Sequence, residues 1–295
     1  MAYRLKEAST SERTFELERI DSDPKNMTVI AVAGFCTKKA GHAKETWQHL
    51  KLGGASKMLL HWEAKRFNDL YGVPTPTGAG VLVSMWHEAK RNAKRAGRQL
   101  ASEMRSRNRF SGPVSLVGHS LGARVIFHAL KCLAESGDTN LVRNVIFLGA
   151  ALPACPDEFD VAQRAVMGHL INVFSPDDKV LKMCYRTLCA QWEVAGIQPV
   201  VTPGVINIDA TPLLSGACAG HSYADDLDDV MHCIKAVLVE MGHATWSDDD
   251  KPRHAEHHSM SKPTEMKEFE PKLSCNRSRF TVKRNATTKV WTVRY

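Results

Sequence analysis

The sequence predicts an α/β fold: a mainly parallel central sheet with helices on both faces, plus a small C-terminal appendage. Three observations predict it. Short apolar, β-branched runs recur along the chain. Stretches with helical spacing of apolar residues alternate with those runs, and such alternation builds parallel sheets covered on both sides. One run passes through Gly-x-Ser-x-Gly directly into a helical pattern.

Composition agrees with a packed fold. Of 295 residues, 43% are hydrophobic and 24% charged, which excludes a disordered or fibrous chain. No window approaches roughly 18 uninterrupted apolar residues, so no transmembrane helix is expected. The stretch Met1 to Glu7 lacks an apolar core, so no secretory signal is expected either. Eight cysteines are scattered, with no Cys-x-x-Cys and no zinc-type spacing. They read as reduced thiols, and the expected location is cytoplasmic.

The elements follow in order. Phe15 to Arg19 alternates apolar and charged residues, as a half-exposed strand does. Asp21 to Pro24 signals a turn. Met27 to Ala33 reads as a buried central strand that stops at Gly34. Further strands are expected at 57–62, 114–117, 145–148, 170–174 and 205–208. Helices are expected at 81–104, 121–134 and 226–241, each carrying apolar residues at helical spacing. Beyond Gly242 the chain turns polar. Near its end, Arg279 to Lys283 and Lys289 to Arg294 read as two strands of a hairpin added to a sheet edge. The expected organisation is an N-terminal strand and turn over 1–26, a catalytic region over 27–243, and a polar linker with the hairpin over 244–295.

The most informative segment is Gly118-His119-Ser120-Leu121-Gly122. Its position between a strand and a helix is what a nucleophile elbow requires. Such a turn is tight and presents the serine hydroxyl outward. Gly118 and Gly122 remove side chains that would collide with the neighbouring strand and helix. A serine hydroxyl needs a histidine to take its proton, and that histidine needs an acid to fix its tautomer. In this type of fold the order along the chain is serine, acid, histidine. Asp177 and Asp178 both follow the 170–174 strand, and a carboxylate there lies on the rim that carries the elbow. His221 follows the next strand and is the expected base. His119 and His128 lie too close to Ser120 in sequence to face it across the sheet. His232 falls inside a helix, and His254, His257 and His258 in the polar tail. The oxyanion hole takes one N–H from Leu121, and the second from Phe35 or Cys36 in the loop after the 27–33 strand. No residues suggest a metal site or a phosphate-cradling loop, and no cofactor is expected.

These residues bring the chain close to a known group. It resembles the α/β-hydrolase-like family typified by transmembrane and coiled-coil domain-containing protein 4, a domain of unknown function. The resemblance rests on Asp178 to Leu181, Tyr185 to Thr187, Val194 to Val200 and Gly220 to Tyr223, with Gly118 to Gly122. It spans roughly residues 27–241. It implies an α/β-hydrolase fold of lipase or esterase type, favours Asp178 over Asp177 as the acid, and supports His221. No transmembrane or coiled-coil stretch is read within these residues.

Two segments are expected to wall a substrate pocket. One is 63–80, with Phe67, Leu70 and Tyr71. The other is 180–200, with Met183, Tyr185, Leu188 and Trp192. The net charge is +7. Lys90, Arg91, Lys94, Arg95 and Arg98 form a basic face suited to peripheral contact with an anionic membrane. Aromatics for base stacking are not interleaved with them, so no nucleic acid is expected. The sequence therefore points to a serine hydrolase of carboxylic esters, lipid esters included, acting on a small-molecule or lipid substrate. The alternatives are a binding or scaffold protein on the same fold, and a membrane-damaging phospholipase.

Overall fold

The computed structural model describes residues 15–21, 27–34, 40–48, 50, 55–62, 77–106, 109–187, 192–215, 220–243 and 280–294. Among the described residues, nine strands form one sheet: β1 (Phe15–Arg19), β2 (Met27–Val32), β3 (Ala55–Trp62), β4 (Val114–His119), β5 (Val142–Leu148), β6 (Leu170–Phe174), β7 (Val205–Asp209), β8 (Thr281–Arg284) and β9 (Trp291–Arg294). Their spatial order is β1-β3-β2-β4-β5-β6-β7-β9-β8. The two outermost strands are antiparallel to their neighbours, and every pairing between is parallel. The C-terminal hairpin joins the sheet through Ile208 opposite Trp291 and Asp209 opposite Thr292.

The strands are apolar on both faces because both faces are covered. In β2, Ile30 and Val32 point into one cluster, while Val29 and Ala31 point into the other. The first cluster is closed by α2 (Thr77–Ser106), α3 (Leu121–Glu135) and α4 (Pro156–Gln163). The second is closed by α1 (Ala40–Gln48), through Trp47, and by α6 (Leu227–Glu240), through Val230, Ile234 and Val237. Between β6 and β7 a single turn, α5 (Lys179–Leu181), runs into a π-helical turn at Lys182–Thr187.

Helices α1 and α4 went unread in the sequence. Each is short, eight or nine residues, and α1 buries Trp47 with little apolar periodicity around it. For α4 the available cue was Pro156 in the first turn beside Asp157 and Glu158, a helix-start signature.

Strand order places the site. The chain goes from β2 outward to β3, then returns past β2 to β4 and builds away in the other direction. Ligands of open α/β sheets sit beyond the carboxyl ends of strands at such a reversal. Here those ends are Ala33-Gly34 after β2 and Ser120 after β4. They nearly touch: a Cβ on Gly34 would lie 2.8 Å from the Ser120 Cβ. This sheet with its strand–elbow–helix junction is an α/β-hydrolase fold.

Candidate active site

Ser120 sits between β4 and α3 with φ 54° and ψ −121°, backbone values that side-chain-bearing residues rarely adopt. The turn is held by Ser120 N–H donating to the Leu148 carbonyl at 3.0 Å, and by the Ser120 carbonyl accepting from Ala151 at 3.1 Å. Both flanking glycines are sterically required. A Cβ on Gly118 would stand 2.7 Å from the Ala123 nitrogen, and one on Gly122 only 2.1 Å from the Val32 carbonyl oxygen. The serine is therefore fixed between β2 and the start of α3.

Asp178 follows β6 and is fully buried. Its Oδ1 accepts the Leu181 N–H at 2.8 Å, capping α5. Its Oδ2 faces His221 Nδ1 at 2.6 Å. His221 follows β7 and reaches Asp178 because Gly220 precedes it. Gly220 has φ 84°, and a Cβ there would lie 2.7 Å from the Asp178 nitrogen. His221 Nε2 lies 3.1 Å from Ser120 Oγ. A carboxylate only accepts, so Nδ1 carries the proton and Nε2 is left to accept from the serine hydroxyl. Ser120 and His221 are each 5% exposed.

Of the two aspartates, Asp178 is the one in this line. Asp177 is exposed, with its N–H on Ser175 Oγ. Leu121 is the first residue of α3, so its N–H belongs to the helix-start groups without an intrahelical partner. Phe35 and Cys36 lie outside the described residues, as do Phe67, Leu70, Tyr71 and Leu188. Tyr185 is buried in a cluster with Trp86, Leu121, Leu181, Val194 and Ile197. Met183 and Trp192 are exposed, 42% and 65%.

His119, read from sequence as part of the elbow only, makes a contact that reading missed. Its Nε2 lies 2.9 Å from the His221 backbone carbonyl, and the two rings are 4.9 Å apart. The Tyr223 ring lies 5.6 Å away on another side. Burial, reinforced by repulsion from the neighbouring His221 imidazole, pushes His119 down to about 3. It is neutral at ordinary pH, and Nε2 carries its proton because a carbonyl can only accept. Burial, with the nearby Asp178 and Asp209 carboxylates, also pushes the Tyr223 phenol well above its usual range. A cavity of about 350 Å³ lies at the opposite rim, among Pro113, Val114 and Leu141 at the starts of β4 and β5, and takes no part in this site.

A family model described as "Protein of unknown function (DUF726)" matches residues 78–237. The rice protein "Transmembrane and coiled-coil domain-containing protein STS1" is 39% identical over 136 residues, 46% of this chain and 21% of that one. "Probable lipase MIL1" of Saccharomyces cerevisiae is 30% identical over 138 residues, 46% of this chain and 13% of that one. The chain thus spans about a fifth or less of the length of these curated relatives. Among solved structures, mouse "Alpha/beta hydrolase domain-containing protein 10" overlaps 77% of this chain and 94% of its own, at 14% identity and a TM-score of 0.38.

Proposed function

The chain belongs to the DUF726 family, whose description assigns no activity, and from the site itself we propose that it is a serine hydrolase of carboxylic esters, lipid esters among them. One observation carries the reading: His221 bridges a buried carboxylate and a serine hydroxyl at 2.6 and 3.1 Å. In this reading His221 takes the Ser120 proton as Oγ attacks the ester carbonyl. Asp178 fixes the Nδ1–H tautomer and stabilises the imidazolium that forms. The Leu121 N–H, at the positive end of α3, faces the developing oxyanion, and Phe35 or Cys36 is assigned the second donor. His221 then protonates the leaving alkoxide. Water, deprotonated by the same ring, releases the acyl group and restores Ser120. No cofactor enters this sequence of steps.

The test is labelling of the purified protein by a fluorophosphonate, with Ser120→Ala and His221→Ala beside it. Labelling of the wild type alone is expected, together with turnover of p-nitrophenyl esters lost in both variants. A wild type that neither labels nor turns over overturns the reading and leaves a binding role for the fold.

A further inference from the structure

Helices α2 and α3 both follow a strand and run side by side in the same direction. Trp86 packs with Leu121 near their starts, and Arg105 bonds the Cys132 carbonyl near their ends. They come closest at Gly97, where a Cβ would lie 2.4 Å from the Val125 carbonyl oxygen and 2.8 Å from the His128 Cβ. Cations line this seam from both sides. Lys94 and Arg98 flank Gly97 on α2, and Arg124 and Lys131 lie two helical turns apart on α3, with His128, neutral, between them. Lys94 and Arg98 are exposed, and among the described residues neither forms an ion pair. Among the described residues, Glu158 on α4 reaches the seam 3.5 Å from Lys131, and Asp138 pairs with Arg105 at its far end at 2.6 Å. Burial, and after it the nearby Arg124, Lys94, Lys131 and Arg98, drive His128 down to about 3.

The seam leads to the site. Arg124 stands one helical turn beyond Ser120, about 6 Å along the axis. It donates to the Ala151 carbonyl and to the Tyr185 hydroxyl. Tyr185 belongs to the π-helical turn that follows α5, and it meets Trp86 of α2 edge-on at 5.5 Å. The same turn carries the exposed Met183, and Trp192 lies exposed just before buried Val194 of that cluster. Through Arg124 and Tyr185 the cationic seam connects to the segment that carries the exposed Met183 and to the cluster beside Trp192.

We propose that the α2–α3 groove and the Met183–Trp192 rim dock the protein on a bilayer rich in anionic phospholipid, the cations on the headgroup phosphates and the apolar residues at the acyl boundary. Lysines and arginines near an anionic leaflet each strengthen binding about five-fold, and exposed Trp and Met supply the apolar contact that a soluble phosphate does not reward. A single-stranded nucleic acid would call for aromatics interleaved with the cations, and among the described residues Lys94, Arg98 and Lys131 make no ring contact. The inference rests on the hydrolase reading in one respect: docking presents Ser120 to esters held in the membrane.

The experiment is vesicle co-sedimentation beside turnover of a soluble short-chain p-nitrophenyl ester. Wild type, Lys94→Glu/Arg98→Glu and Trp192→Ala are compared on phosphatidylcholine vesicles with and without phosphatidylserine. Wild type is expected to prefer phosphatidylserine vesicles, to release in high salt, and to stay bound when inorganic phosphate replaces chloride at equal ionic strength. The double reversal should weaken binding roughly thirty-fold or more while soluble-ester turnover stays at the wild-type level. Trp192→Ala should weaken binding to both vesicle types. Equal binding by wild type and the double reversal overturns the proposal. So does displacement by inorganic phosphate, or tighter binding to an oligonucleotide than to vesicles. Vesicle binding without ester turnover retains the docking surface and removes the hydrolase reading; turnover without vesicle binding does the reverse.

Discussion

His119 and His221 lie 102 residues apart and are joined by one hydrogen bond, from His119 Nε2 to the His221 backbone carbonyl at 2.9 Å. The residue beside the proposed nucleophile thereby holds the loop that carries the proposed base. Gly34 bounds the other edge of the His119 ring: a Cβ there would stand 3.3 Å from Nδ1. His119 acts through His221 and is a positioning residue. His119→Phe keeps a flat ring and deletes the donor, leaving a buried carbonyl unpaired. Such a loss is worth about 1–3 kcal/mol, and kcat should fall about ten-fold, with KM little changed. His119→Gln, whose amide N–H can donate to the same carbonyl, should recover most of the rate. A stability effect alone would lower the unfolding midpoint in both variants and leave kcat per folded molecule intact.

Asp177 and Asp178 separate cleanly. Asp178 is fully buried and accepts from both Leu181 N–H and His221 Nδ1, whereas Asp177 points to solvent. Asp178→Asn should lower kcat by about a thousand-fold or more, because an amide N–H aimed at His221 selects the wrong tautomer. Asp177→Asn should leave kcat unchanged. Steady-state kinetics on one soluble ester decides between the two assignments.

Much of this arrangement was legible from strand ends. The apolar runs located β2, β4, β6 and β7, and residues just past those runs gather on one rim in a parallel sheet. Ser120, His221 and the pair Asp177 and Asp178 could be named on that ground before any distance was known. The choice between adjacent aspartates was a different matter: adjacent residues share every pattern that periodicity detects, so only the family resemblance favoured Asp178, and the structure shows Asp178 as the buried one. The His119 contact was hidden because it spans the sheet from β4 to the loop after β7. Half of the cationic groove was hidden too. The basic residues of α2 stand out in the sequence, but Arg124 and Lys131 join them only through the parallel packing of α2 on α3 at Gly97.

Close approach makes Gly122 the least tolerant position of the elbow. A methyl there would stand 2.1 Å from the Val32 carbonyl oxygen, which is backbone of the central strand and cannot rotate away. Gly122→Ala should cost about 3 kcal/mol or more, or yield insoluble protein. Gly118→Ala meets atoms at 2.7 Å, one of them the movable tip of Ile126, and should cost less. Gly112→Ala meets nothing within 4 Å and should leave stability within about 0.5 kcal/mol of wild type. Urea midpoints of the three variants give the order directly.

Backbone strain at Ser120 makes a second stability prediction. Its φ of 54° with ψ of −121° is a conformation that costs a side-chain-bearing residue about 1–3 kcal/mol. Glycine adopts it freely, at an entropic cost of about 0.5–1 kcal/mol in the unfolded chain. Ser120→Gly should therefore be about 1 kcal/mol more stable than Ser120→Ala, with both devoid of turnover. Equal unfolding midpoints would mean that the turn is not strained.

Acid should destabilise the fold through its histidines before it protonates its carboxylates. His119 and His128 are both held near a pKa of about 3 in the native state, while in the unfolded chain each titrates near 6.5. Above pH 6.5 both states are neutral, and the full stability is present. As pH falls below 6.5 the unfolded state binds protons that the native state refuses, so stability drops until the native pKa is reached. At pH 5 the loss is at most about 2 kcal/mol for each histidine. His128 is the cleaner probe, being outside the proposed active site: burial first, then Arg124, Lys94, Lys131 and Arg98, hold its pKa down, and among the described residues its buried Nε2 has no hydrogen-bond partner. His128→Gln removes the titration and keeps a neutral polar side chain. Comparing urea unfolding at pH 7.5 and pH 5, the wild type should lose more stability than His128→Gln, by up to about 2 kcal/mol. An identical loss in the two proteins would mean that His128 takes up its proton in the native state, and that neither its burial nor the neighbouring charges hold its pKa down.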